Sequence, residues 1–198
     1  MNLDNDTLKD IDVFGANINI VFESFGSFTI VASSFLLAEG IGKPSPTGEA
    51  VVDQNSWYPL KGWLGVFERI REAMGSDPLN RAGLAVPRNA VFPPHVKGIR
   101  DALGSLDIAY HMNHRNRGEV MFDPNTGSML EGIGHYDFRA GTGNTATMIC
   151  TNPYPCEFDK GIITSVAQRF ESRATVAHED RMPCRKSGGA ACTYTIKW

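Results

Sequence analysis

Residues 150–198 read CTNPYPCEFDKGIITSVAQRFESRATVAHEDRMPCRKSGGAACTYTIKW, and this stretch decides the fold. All four cysteines fall in it: Cys150, Cys156, Cys184 and Cys192. From Glu157 to Phe170, the residues Phe158, Ile162, Val166 and Phe170 are spaced four apart, so they share one helical face, which Ile163 widens. Glu157 and Asp159 stand in the first turn, where the helix dipole favours negative charge. Strands are predicted at Ala174–His178 and Cys192–Ile196. Arg185-Lys186-Ser187-Gly188-Gly189 supplies turn chemistry between Cys184 and Cys192. Three thiols therefore stand at rigid element ends, the placement a metal ion prefers.

Working outward, Leu106–Met112, Glu119–Phe122, Met129–Phe138 and Thr145–Thr151 read as further strands. Asp123-Pro124-Asn125-Thr126-Gly127 predicts a hairpin between the second and third. Before them come helices at Leu60–Met74 and His95–Leu103, the latter opened by Pro93-Pro94. Gly83–Phe92 reads as irregular. Phe14–Gly40 reads as two helices broken at Gly26-Ser27, with a strand as the alternative for Ile18–Phe22. Lys43–Gly48 has the composition of a linker. The fold class is α+β: helices packed on a mostly antiparallel twisted sheet. Residues 1–48 form an N-terminal helical arm, a possible dimerisation element. Residues 49–198 form a ligand-binding domain with a C-terminal metal site.

The chain has 198 residues and a formal net charge of -3, and its Lys and Arg form no long run, so nucleic acid is not an expected partner. The apolar segment Phe28–Leu37 falls short of the ~20 residues a membrane span needs. The start, Met1-Asn2-Leu3-Asp4-Asn5-Asp6, is acidic and polar, unlike a signal peptide. A cytoplasmic setting is the expectation. Its reducing poise favours a metal site or free thiols over structural disulfides.

Zinc takes four tetrahedral ligands from Cys and His. Cys156, His178, Cys184 and Cys192 would make a closed set of that kind, with Cys150 the second choice in place of His178. A thiol at a helix start has a lowered pKa, which suits Cys156. The plainer reading is that these are ordinary buried cysteines. His95 reads as a capping residue, and His111 and His114 as loop residues at a strand end. Glu131, His135 and Asp137 fall on one face of a strand, which suits either a polar site or a solvated face. No Gly-x-Ser-x-Gly, phosphate-binding glycine loop or GxGxxG occurs, so an enzyme is not favoured.

The residues Asn152-Pro153-Tyr154-Pro155-Cys156-Glu157-Phe158-Asp159-Lys160-Gly161-Ile162-Ile163 and Cys184 through Tyr194 resemble the 4-vinyl-reductase-type sensory domain. Its wider superfamily includes haem-dependent nitric-oxide-binding domains and subunits of the TRAPP tethering complex. The resemblance implies a structural zinc on Cys156, Cys184 and Cys192, completed by an acidic residue three before the pair. Arg181 stands at that position, and His178, Glu179 or Asp180 could substitute. The haem-binding relatives' Tyr-x-Ser-x-Arg motif does not occur.

The reading is an intracellular sensory domain that binds a small, mostly apolar ligand between its helices and sheet. Trp57, Tyr58, Phe92, Tyr110 and Tyr136 are the candidate lining. A homodimer or a signalling partner protein would carry the output. A haem-based gas sensor and a non-enzymatic scaffold or tethering subunit are the alternatives.

Overall fold

The computed structural model describes residues 8–88, 90–179 and 182–198. Strand β1 (Ile11–Phe14) runs into helix α1 (Gly15–Glu23). A one-turn 3-10 helix at Gly26–Phe28 then bends the chain into α2 (Thr29–Ala38). The two helices and their break at Gly26 match the sequence reading; the strand before them does not appear in it. The supposed linker is a small hairpin, β2 (Lys43–Pro44) against β3 (Ala50–Val51). Then come β4 (Trp57–Pro59), α3 (Leu60–Met74), α4 (Asp77–Ala85), α5 (Ile99–Gly104) and α6 (Leu106–Met112). The second half comprises β5 (His114–Asn116), β6 (Glu119–Val120), β7 (Tyr136–Ala140), β8 (Thr145–Cys150), α7 (Cys156–Phe170), β9 (Thr175–His178) and β10 (Cys192–Lys197).

The strands form two antiparallel four-stranded sheets, ordered β4-β1-β5-β6 and β7-β8-β10-β9. The fold is therefore α+β, with helices packed on antiparallel sheets. Residues 11–41 do not stand apart from the rest. Ile11, Val13, Ile18, Val21, Ala32 and Leu36 are buried in the same core as Trp63 and Tyr194, and β1 sits inside the first sheet.

Four local readings change. Leu106–Met112 is helix, not strand. Its buried residues, Leu106, Tyr110 and His111, follow a helical spacing, and a short apolar run looks alike under both periods. α4 went unread because Pro78 and Gly83 interrupt its pattern; Pro78 in fact occupies the first turn, where a missing N–H costs nothing. α5 begins at Ile99 because Gly98 is extended there (φ -151°). The hairpin around Asp123 shrinks to one bridge, Phe122 to Met129. β6 pairs with β5 instead, across Arg117 (φ 51°) and Gly118 (φ 87°), a two-residue turn with the positive dihedrals that antiparallel hairpins favour.

α7 lies close against α4. A Cβ on Gly83 would strike the Phe158 carbonyl oxygen, and one on Gly161 the Asn80 carbonyl oxygen. The two glycines let the backbones meet. Phe158, Ile162 and Val166 of α7 line the cavity described next.

Candidate functional site

Helices α1, α3, α6 and α7 and strand β7 enclose a cavity of about 300 Å³. Trp63, Tyr110, Tyr136, Tyr154 and Phe158 give it an aromatic wall, and Phe92, Ile162 and Val166 extend it. The few polar members are Asn17, Ser105, Asn113 and His114, with no Lys or Arg among the described lining residues. Three of the five expected ligand-site residues thus line it: Phe92, Tyr110 and Tyr136. Trp57 and Tyr58 lie elsewhere, in β4. Trp57 packs on Phe14 at 5.0 Å and under the Arg115 guanidinium. Tyr58 accepts a hydrogen bond from the Asp53 backbone N–H (2.9 Å). The lining also includes Trp63, His114, Tyr154 and Phe158, which the sequence does not single out as such. Reading 106–112 as a helix would have placed Leu106, Ala109 and Tyr110 on one face.

The polar groups of this wall are turned to protein partners. Tyr110 Oη donates to the Ile133 carbonyl (2.7 Å) and Tyr136 Oη to Asp159 Oδ1 (2.6 Å). Asn17 Nδ2 donates to Asn113 Oδ1 (2.8 Å). His114 Nδ1 lies 2.7 Å from the Tyr110 carbonyl, so that nitrogen carries the hydrogen, and Nε2 accepts from Tyr154 Oη at 2.8 Å. Burial lowers the His114 pKa to about 4, and the ring is neutral at ordinary pH. The cavity therefore presents mainly ring faces and aliphatic groups.

A second assembly stands at the far end of α7. Cys156 opens that helix, Cys192 opens β10, His178 ends β9, and Cys184 precedes a 3-10 turn at Arg185–Ser187. Their ligand atoms all lie within 4.8 Å of one another. The sulfur separations are 3.2 Å (Cys156–Cys192), 3.3 Å (Cys156–Cys184) and 3.5 Å (Cys184–Cys192). Zinc–sulfur bonds of about 2.3 Å put tetrahedral sulfurs roughly 3.7 Å apart, so an ion needs the thiols to open by only a few tenths of an ångström. His178 stacks on Tyr194 at 4.9 Å. Its Nε2 is buried without a hydrogen-bond partner among the described residues, as a ligand nitrogen kept for an ion would be. Cys150 is buried in β8, opposite Cys192 on the ladder and outside this cluster. Glu179 is not part of it either. Asp180 and Arg181 lie outside the described residues.

Hydrogen bonding among the thiols splits their acidity. The bond from Cys156, helped by the Arg185 guanidinium, holds Cys192 well below the usual thiol range, while the same bond with burial pushes Cys156 up. Arg185 Nε donates to Cys192 Sγ (3.3 Å). Its other nitrogens reach the Asn152 side-chain oxygen (2.9 Å) and Asp159 Oδ2. Burial raises the Asp159 pKa to about 6, with Arg185 and Tyr136 holding it down, so it is ionised at neutral pH. A continuous chain of contacts thus runs from the cavity wall to the thiols: Tyr136, Asp159, Arg185, Cys192.

No family model matches the chain, and no curated protein matches it in sequence. Among solved structures it is similar to an H-NOX protein from S. oneidensis in the Fe(II)NO ligation state. That likeness has a TM-score of 0.62 and 12% identity, over 93% of this chain and 98% of that one. An unliganded Fe(II) H-NOX mutant from K. algicida gives 0.61 and 15%, over 93% and 95%. A structure from a study of haem distortion in the H-NOX family gives 0.63 and 13%, over 93% and 94%. At these identities the shared feature is the fold.

Proposed function

We propose that this chain is a sensory domain whose cavity takes a small, mostly apolar, ring-bearing molecule, with one structural zinc on Cys156, His178, Cys184 and Cys192. The cavity carries the reading. A volume of about 300 Å³ is at the small end for ligand pockets. Its aromatic wall, its paired hydroxyls and its lack of described cations favour an uncharged occupant. The resemblance of residues 152–194 to 4-vinyl-reductase-type sensory domains supports the same conclusion. A thermal-shift screen tests it: small aromatic compounds should raise the melting temperature by mass action. A rise with nucleotides or sugar phosphates alone would refute it. Elemental analysis after chelator-free purification should find one zinc per chain, and none would refute the metal assignment.

A haem-based gas sensor is the second reading, and the fold shared with H-NOX domains favours it. The residues do not fit a haem as they stand. His114, the histidine on the cavity wall, has both ring nitrogens engaged, and the described lining offers no Lys or Arg to meet the two carboxylates of the macrocycle. The absorption spectrum of untreated protein decides the matter, because a Soret band would transfer the assignment to haem.

A homodimer in an intracellular setting completes the proposal. Phe28, Ile30 and Val31 at the start of α2 are exposed, Ile30 at 71%. Light scattering should give a dimer that Ile30→Asp converts to monomer. No described helix is long and apolar enough to cross a membrane.

A further inference from the structure

The face of α6 turned away from the cavity carries a second group of ligating side chains. Asp107 and His111 lie one turn apart on it, and His135 meets them from the chain entering β7. The ligand atoms of these three residues also lie within 4.8 Å of one another. His135 Nδ1 is 2.9 Å from Asp107 Oδ2, and the two imidazole rings sit 5.1 Å apart at 31°.

The plain reading is an anchor that ties α6 to the sheet. Asp107 Oδ1 does accept the Tyr136 backbone N–H (2.9 Å), and that bond needs the carboxylate alone. It does not account for His111, which is fully buried yet has no hydrogen-bond partner for Nε2 among the described residues. A buried imidazole with an orphan nitrogen is costly where an apolar side chain would pack.

Both rings also carry the outer contacts that metal-binding histidines use. Such a ring has one nitrogen fixed by a carboxylate or backbone carbonyl, which orients it and leaves the other for the ion. His111 Nδ1 lies 2.8 Å from the Asp107 carbonyl, and His135 Nε2 lies 2.8 Å from Glu131 Oε2. His111 Nε2 remains without a partner among the described residues, and His135 Nδ1 faces Asp107 Oδ2, its prospective co-ligand, in a bond that a shared ion would replace. Asp107 and His135 open onto a surface cleft shared with Asp137 and Thr151, which gives an entry path.

We propose that Asp107, His111 and His135 form a second metal site, distinct from the cysteine cluster, for a divalent transition ion. Two imidazoles and one carboxylate suit Zn(II), Co(II), Ni(II) or Fe(II); Mg(II) and Ca(II) prefer all-oxygen sets. Three protein ligands leave coordination positions for water or a small anion. Because Leu106, Ala109 and Tyr110 on the other face of α6 line the cavity, an ion here would fix the helix that forms the cavity wall.

Cobalt(II) titration of the full chain tests the site, because thiolate ligands add intense near-ultraviolet charge-transfer bands that nitrogen and oxygen ligands lack. Wild type should bind one ion with those bands and a second without them. His135→Ala, at a partly exposed position, should abolish the second ion and keep the first. Glu131→Gln should weaken the second by about 10–100-fold. Circular dichroism checks that each variant is folded, and His135→Gln replaces the alanine variant where it is not. A wild-type protein that binds only ions with thiolate bands would overturn the proposal, and so would unchanged stoichiometry in a folded His135 variant. Loss of the thiolate bands alone would overturn the cysteine site and leave this one standing.

Discussion

Single residues decide how charge is held inside this domain. His114 is the clearest case. Its folded pKa of about 4 lies below the ordinary 6.5, so between those values the unfolded chain binds a proton that the folded chain does not. The contribution of His114 is then fully present above pH 6.5 and falls by roughly 3 kcal/mol between pH 6.5 and pH 4. Denaturant titrations at pH 7.5 and pH 4 should show that loss as the difference between wild type and His114→Gln, because Asp159, raised to about 6, gains stability over the same fall in pH and offsets it in wild type measured by itself. Tyr136 is the second case. Its hydroxyl is spent on Asp159, so Tyr136→Phe should act on stability and on the thiol cluster more than on ligand choice. About 1.5–3 kcal/mol should be lost with that bond to a charged acceptor. With Asp159 and Arg185 loosened, a chromophoric chelator should strip metal from the cysteine cluster faster than from wild type. Cys184→Ser should remove the thiolate-bound ion and lower the melting temperature, because metal binding adds to folding free energy.

At the scale of elements, legibility followed local pattern. α3 and α7 were readable because each repeats an apolar face over four turns, and a long repeat has one interpretation. Cys156, His178, Cys184 and Cys192 lie together as the proposed metal set requires, and their places at element ends are legible in the sequence. α6 was not readable. Its seven residues are too few to separate a helical from a strand period, and that ambiguity hid Asp107 and His111 on the face opposite the cavity. The aromatic character of Trp57 and Tyr58 says nothing about which way a two-sided strand turns them. Nor does a sequence pattern show how closely α4 and α7 approach. Gly161→Ala should force those backbones apart and cost about 1–3 kcal/mol, measurable as a lower denaturation midpoint; Gly161→Ser should cost at least as much.

Across the whole molecule, the two sheets share one construction: each has a strand from one end of the described chain in its interior. β1 lies between β4 and β5. Deleting residues 1–44 should therefore give a chain that fails to fold by circular dichroism, not a smaller intact domain. β10 lies between β8 and β9, and β9 has no other strand partner among the described residues. In any chain that lacks residues 192–197, β8 and β9 have nothing between them. A nascent chain stalled before residue 192 shows an open sheet edge, the feature that invites aggregation. The same late residues bring in Cys192. Completion of the sheet and assembly of the thiol cluster are thus a single event, because both need the segment that begins at Cys192.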